Sequence, residues 1–280
     1  MVDSETKYFG VIGNPIEHSL SPLIHNAGFK ELKINSAYFA FKVEEVKNAI
    51  DAMNEFKITA YSVTIPHKVS IMKYLDEIDP LAKKVGAVNT VVKTEGKLIG
   101  HNTDVAGVIV PLKEITSLKG KNIFLIGAGG AARAIVLGLV NEGANVTIFN
   151  RNFSHADTLA KEFGVFAKEL SELNSHSKEC DILINATPVG MFPKVNETPV
   201  EEAFFRKGMI VFDIVYNPLE TKLINLAKKK ECIVILGVEM FLNQAFEQFK
   251  LFTGKEAPKE IMRKVLLKEL TKRQKKQKWN

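Results

Sequence analysis

The chain has 280 residues, 46% of them hydrophobic and 25% charged, with two cysteines and a formal net charge of +6. That length and composition suit two ordinary domains with buried cores, and no apolar run approaches the roughly 20 residues needed to span a bilayer. Six Lys or Arg against one Glu fall within residues 268–280, so the rest of the chain is nearly neutral and a nucleic-acid partner is not expected.

In chain order, strand-like and helical runs alternate over the first hundred residues: strand 8–12, helix 22–32, strand 37–41, helix 44–54, then strands at 59–64 and 87–92. This rhythm argues for a mostly parallel sheet with helices packed on it. Glu95-Gly96-Lys97 reads as a hairpin turn. A strand then leads to Gly100-His101-Asn102-Thr103-Asp104, and Asp104 opens a helix with the apolar run 105–112.

The pattern restarts at Lys121: strand 122–126, a glycine turn, a helix to 140, strand 145–149, and further strands at 181–185, 209–214 and 232–236. That is a doubly wound arrangement. Two last helices, 240–252 and 258–273, are expected to return to the first domain, because the second sheet already has its strands. The fold class is α/β: an N-terminal domain at 1–104 completed by 240–280, and a Rossmann-type domain at 105–239 that includes the bridging helix. The basic end after the last helix reads as a solvated or frayed terminus.

Cys180 and Cys232 sit beside buried-looking strands, with neither Cys-x-x-Cys spacing nor a nearby His cluster. They read as small core residues, and no metal site is expected. Residues 1–7 are polar and mixed in charge, unlike a signal peptide, so the expected location is cytoplasmic.

Gly127-Ala128-Gly129-Gly130-Ala131-Ala132 follows a strand and opens a helix. In that setting Gly127 permits a tight turn, Gly129 lets the backbone approach a pyrophosphate, and Ala132 allows the helix to pack closely on the strand. The free N–H groups of the helix start then face the phosphates. The next strand ends at Asn150-Arg151, where a carboxylate would serve NAD and would repel a 2′-phosphate. An Arg there accepts that phosphate with paired hydrogen bonds, so NADP(H) is the expected cofactor. Thr187-Pro188-Val189-Gly190-Met191, at the end of another strand, is placed to shape the nicotinamide pocket.

The N-terminal half carries Ser19-Leu20-Ser21-Pro22, Thr64-Ile65-Pro66-His67-Lys68, Asn89 and Asn102-Thr103-Asp104, each at a strand end or helix start. Gathered on one rim, these hydroxyl and amide groups suit a small polyol, while one Lys and one Asp supply proton chemistry.

Together these segments resemble the shikimate dehydrogenase family, in ordered motifs from Gly10 to Gln248 that also include Asp213 with Tyr216-Asn217-Pro218 and Gly237-Val238-Glu239-Met240. The resemblance implies reversible NADPH-dependent reduction of 3-dehydroshikimate to shikimate, on the route to chorismate and the aromatic amino acids. It implies Lys68 and Asp104 as the catalytic pair, and Ser19, Ser21, Thr64, Asn89, Gln244 and Tyr216 as substrate contacts. Gly127, Gly129, Gly130, Ala131, Asn150, Arg151, Thr187 and Gly237 would hold the cofactor. The chain departs from the family at Ser62, where Asn commonly precedes the Val-Thr run, and at Asn152, where Thr often follows Asn-Arg. A broader quinate/shikimate dehydrogenase and a non-catalytic NADPH-binding sensor are the alternatives, the second disfavoured by the presence of both Lys68 and Asp104. The expected assembly is a monomer or homodimer.

Overall fold

The computed structural model describes residues 3–277; residues 1 and 2, and residues 278–280 of the basic tail, lie outside them. In the first half, β1 (Lys7–Gly13), β2 (Ser36–Lys42), β3 (Ile58–Val63), β4 (Glu77–Ile78), β5 (Thr90–Thr94) and β6 (Lys97–His101) form one six-stranded sheet in the order β2-β1-β3-β5-β6-β4. β1 runs parallel to β2 and β3, whereas β5 is antiparallel to both β3 and β6. The β5–β6 hairpin turns on Glu95 and Gly96, both at positive φ (51° and 82°), the conformation a two-residue hairpin turn demands.

The helices of this half are α1 (Ser21–Glu31), α2 (Val46–Glu55) and α3 (Pro80–Val85). Ile12, Met53, Tyr61, Ile71 and Val91 are among the side chains of the core that α2 and α3 enclose with the sheet. The strand expected at 87–92 begins only at Thr90. Asn89 just before it still bonds to both neighbouring strands, its N–H donating to the His101 carbonyl (3.0 Å) and its carbonyl accepting the Val63 N–H (2.7 Å).

The second half holds α4 (Asp104–Lys113), β7 (Asn122–Ile126), α5 (Gly130–Asn141), β8 (Asn145–Asn150), α6 (Phe153–Phe163), β9 (Phe166–Glu169), β10 (Ile182–Asn185), β11 (Ile210–Asp213), α7 (Lys222–Lys229) and β12 (Ile233–Ile235). Its sheet runs β12-β11-β10-β7-β8-β9 and every pairing is parallel. Buried on both faces, β7 is apolar from Ile123 to Ile126 and β10 from Ile182 to Ile184, with Asn185 at its end. The chain leaves β7 toward β8 on one side and returns to β10 on the other. The strand order therefore reverses at β7, and ligands of open α/β sheets bind at the carboxyl ends beside such a reversal.

Helices α8 (Gly237–Thr253) and α9 (Lys259–Gln277) close the chain. Residues Gln244–Glu269 cluster with Met1–Asp104 as one compact unit, and Val105–Asn243 form the second with the chain end from Leu270. Phe252 of α8 packs its ring against Phe9 at 5.4 Å, and Phe249 packs against Phe29 at the same separation. Of the basic end expected to be solvated or frayed, the described part is helical rather than frayed: α9 continues through Gln277, so Lys268, Lys272, Arg273 and Lys275 ride on a helix, Lys272 and Lys275 exposed. Both cysteines are free thiols. Burial pushes the Cys180 thiol up to about 12, as befits a core residue. Among the described residues no helix is long and apolar enough to cross a membrane, and no group of His, Cys, Asp or Glu could hold a metal ion.

Candidate active site

The segment after β3 is folded back by a turn in which the His67 N–H donates to the Thr64 carbonyl (2.9 Å). His67 Nε2 meets the Val43 carbonyl at 2.7 Å, which anchors the turn, and the Val88 N–H donates to the Lys68 carbonyl at 2.8 Å. These bonds fix the backbone from which Lys68 projects. Asp104 stands at the first position of α4, where an acidic side chain is favoured by the helix dipole. Its N–H is taken by Asn102 Oδ1 at 3.0 Å, and Asn102 donates in turn to the Ala87 carbonyl at 2.9 Å.

Lys68 Nζ donates to Asp104 Oδ2 at 2.6 Å, and Asn89 Nδ2 donates to Asp104 Oδ1 at 2.9 Å. Asn89 also accepts the Thr103 N–H on Oδ1 at 2.8 Å. Lys68, Asn89, Thr103 and Asp104 are thus one hydrogen-bonded cluster. Its ion pair is a charge-assisted bond, short and directional. A protonated amine held this way can give its proton to an oxygen that gains negative charge, and can recover it by the reverse step.

Thr64 borders the same strand ends: its Cγ2 occupies the space a side chain at Gly13 would fill (2.5 Å). Ser19 lies in the loop between β1 and α1, where its Oγ accepts the Ser21 N–H at 3.3 Å. Gln244 sits on α8 within the same compact unit. Tyr216 belongs to the second unit, where its ring lies 4.8 Å from that of Phe241 and burial raises its pKa.

The glycine turn lies at the end of β7. Gly127 has φ +107°, and a Cβ there would come within 2.9 Å of Thr187 Cγ2, so the turn and the β10 loop meet where only glycine fits. Gly129 is the N-cap of α5 with no side-chain cap, and a Cβ on Gly129 or Gly130 would meet nothing within 4 Å. An uncapped helix start facing open space is a ready anion site. Ala131 follows in the first turn. Asn150 ends β8 and donates to the Asn152 carbonyl (2.9 Å), while Arg151 is exposed and pairs with no carboxylate among the described residues. These residues fit a dinucleotide with a phosphorylated ribose.

Thr187 is held by Asn185 Oδ1, which accepts from both its N–H (3.1 Å) and its hydroxyl (2.7 Å). Asn185 Nδ2 donates to Asp213 Oδ1, and the Thr221 hydroxyl donates to Asp213 Oδ2 at 2.6 Å. Burial pushes the Asp213 carboxyl up to about 6, against the pull of those donors. At Gly237 a Cβ would lie 2.3 Å from the Val215 carbonyl oxygen, so glycine is required there for backbone packing at the start of α8.

Residues 11–91 match the shikimate dehydrogenase substrate binding domain, residues 111–232 the shikimate/quinate 5-dehydrogenase family, and residues 237–267 the shikimate 5′-dehydrogenase C-terminal domain. The chain belongs to the shikimate dehydrogenase family. Shikimate dehydrogenase (NADP(+)) of Methanocaldococcus jannaschii is 44% identical over 97% of this chain and 100% of its own. A solved shikimate dehydrogenase in complex with NADP+ superposes with a TM-score of 0.92 at 43% identity, covering 96% of this chain and 98% of that one. The Thermus thermophilus shikimate 5-dehydrogenase in complex with NADP(H) and shikimate gives 0.84 at 32% identity, over 94% and 99%.

Against the shikimate dehydrogenase pattern, both departures have local explanations. Asn152 caps α6, accepting the Ser154 N–H at 3.1 Å. Ser62 is buried and bonded to Tyr38 and Gln248. Thr90 and Gln248 are polar groups beside this cluster that the sequence reading missed. The available signal was a second Gln one helical turn after Gln244.

Proposed function

We propose that the chain catalyses the reversible, NADP(H)-dependent interconversion of 3-dehydroshikimate and shikimate, as an oxidoreductase acting on a CH–OH group. The observation that carries this reading is the largely buried Lys68–Asp104 pair, bonded at 2.6 Å beside Asn89 and Thr103. In reduction, Lys68 gives its proton to the oxygen of the ring carbonyl as that oxygen becomes an alcohol. Asp104 holds Lys68 in place and accepts from the reacting hydroxyl when the reaction runs backward. Ser19, Ser21, Thr64, Asn89 and Gln244 hold the remaining hydroxyls and the carboxylate, with Tyr216 as a further substrate contact.

The cofactor, when bound, supplies or takes the hydride. Gly127, Gly129, Gly130 and Ala131 hold its pyrophosphate, Asn150 and Arg151 its 2′-phosphate, and Thr187 and Gly237 its nicotinamide end. We place the enzyme in the cytoplasm, a compartment where free thiols such as Cys180 and Cys232 persist. It works as a monomer or homodimer on a small-molecule substrate, without nucleic acid.

Loss of NADPH absorbance on adding 3-dehydroshikimate to the purified protein tests the reading. Rapid substrate-dependent oxidation is expected. Bound NADPH that is never oxidised by 3-dehydroshikimate rejects it.

A further inference from the structure

Asn89 touches Asp104 at one end of a longer hydrogen-bond chain that reaches across the unit to α8. Tyr38 Oη donates to Ser62 Oγ (2.6 Å), and Ser62 Oγ donates to Gln248 Oε1 (2.8 Å). Gln248 Nε2 donates to Thr90 Oγ1 (3.0 Å) and to the Asn89 carbonyl (3.2 Å), and Thr90 Oγ1 donates to Asn89 Oδ1 (2.8 Å). Asn89 Nδ2 then reaches Asp104 Oδ1 at 2.9 Å. None of Tyr38, Ser62, Gln248, Thr90, Asn89 or Asp104 is more than 5% exposed, so water does not substitute for a missing link.

The direction of this chain is imposed by two backbone groups. The Thr103 N–H can only donate, so the Asn89 atom facing it is the oxygen, and the amide nitrogen is left for Asp104. The Asn89 carbonyl can only accept, so the Gln248 atom facing it is the nitrogen, and the oxygen is left for Ser62. Thr90 receives from Gln248 and therefore gives to Asn89. Every donor points toward the Asp104 carboxylate, whose other oxygen holds Lys68.

We infer that Thr90 and Gln248 are positioning residues of the active site: the relay from α8 through Thr90 fixes the Asn89 amide, and through it the orientation of Asp104 and Lys68. Gln244 and Gln248 lie one turn apart on α8, so the same helix that offers Gln244 toward substrate is registered against the acid–base pair. Ser62, with a short side chain where an amide is common in the family, leaves room for Gln248 to complete the relay. The role in turnover rests on the function proposed above.

Three variants test it. Thr90→Val keeps the shape and removes the hydroxyl, Thr90→Ser keeps the hydroxyl, and Gln248→Met keeps the length without polar atoms. In folded protein, kcat with shikimate is expected to fall about tenfold in Thr90→Val and Gln248→Met, the scale of one buried hydrogen bond. The KM for NADP+ stays within about twofold, and Thr90→Ser recovers most of the rate; a merely structural role would lower the melting temperature without this split. Rates near wild type in both Thr90→Val and Gln248→Met, or Thr90→Ser as slow as Thr90→Val, would overturn the inference. A crystal structure of Thr90→Val reads positioning without any substrate. A displaced Asn89 amide supports the relay even if the wild type fails to oxidise shikimate, an outcome that rejects only the proposed reaction. An unmoved Asn89–Asp104 bond overturns the relay.

Discussion

Lys68 Nζ lies 2.6 Å from Asp104 Oδ2, with their side chains 16% and 6% exposed, so the ammonium is held by its counter-ion while keeping a narrow opening to a ligand. If Lys68 moves the proton, Lys68→Ala lowers kcat by about 10² to 10⁴. The affinity for NADPH stays near wild type, because the cofactor motifs lie elsewhere in the chain. Steady-state kinetics and a fluorescence titration of NADPH check this; an alanine variant with ordinary turnover removes Lys68 from the mechanism.

Arg151 is exposed, follows the last residue of β8 and pairs with no acid among the described residues. A guanidinium in that state is free to take a phosphate bidentately. Arg151→Ala should raise the KM for NADPH by about 10- to 100-fold, the worth of charge-assisted hydrogen bonds. The KM for NADH should hardly change. Equal weakening toward both cofactors would mean that Arg151 does not read the 2′-phosphate.

How much of this was legible in the sequence depended on what each residue answers to. The parallel strands β7, β10 and β11 are apolar runs whose burial is written in their composition, and Gly127 announces its turn by being glycine. Strand β4 and helix α3 span only two and six residues, too few for a period to show. The pair of Lys68 and Asp104 could be named, but their 36-residue separation hides the contact until β3 and β6, running the same way on either side of β5, finish at the same end of the sheet. Nothing in the helical run 240–252 sets Gln248 apart, since its partners lie 158 residues or more away in sequence.

Two glycines assigned to the cofactor should behave oppositely on gaining a methyl group. At Gly237 the new Cβ meets backbone atoms, the Val215 carbonyl oxygen at 2.3 Å and that of Ile214 at 2.7 Å, which cannot swing away. Gly237→Ala should cost about 2 to 3 kcal/mol or more of stability, seen as a lower melting temperature. At Gly129 the space is open and φ is −88°, so Gly129→Ala should stay within about 1 kcal/mol of wild type. It should nonetheless weaken NADPH binding, because the methyl group stands where the pyrophosphate would approach. Unchanged NADPH affinity in a folded Gly129→Ala protein would take the pyrophosphate off that helix start.

His25 predicts a distinct acid sensitivity. The imidazole is fully buried, stacked on Tyr38 at 4.5 Å and near-parallel to Phe249, and burial pulls its pKa down to about 3 from an ordinary 6.5, only partly opposed by the Gln248 side chain. Above pH 6.5 neither the folded nor the unfolded state binds a proton there, so the neutral ring's contribution is intact. Below it the unfolded chain takes up the proton and the folded protein does not, so stability falls by about 1.4 kcal/mol per pH unit until the folded pKa is reached near pH 3. Urea unfolding at pH 7.5, 6, 5 and 4.5 measures the slope, and His25→Phe, which keeps an aromatic ring in the stack, should remove this component. The difference in slope is the test, since the larger ring shifts absolute stability at every pH. Parallel pH profiles for the two proteins would mean that His25 takes up its proton in the folded protein as readily as in the unfolded chain.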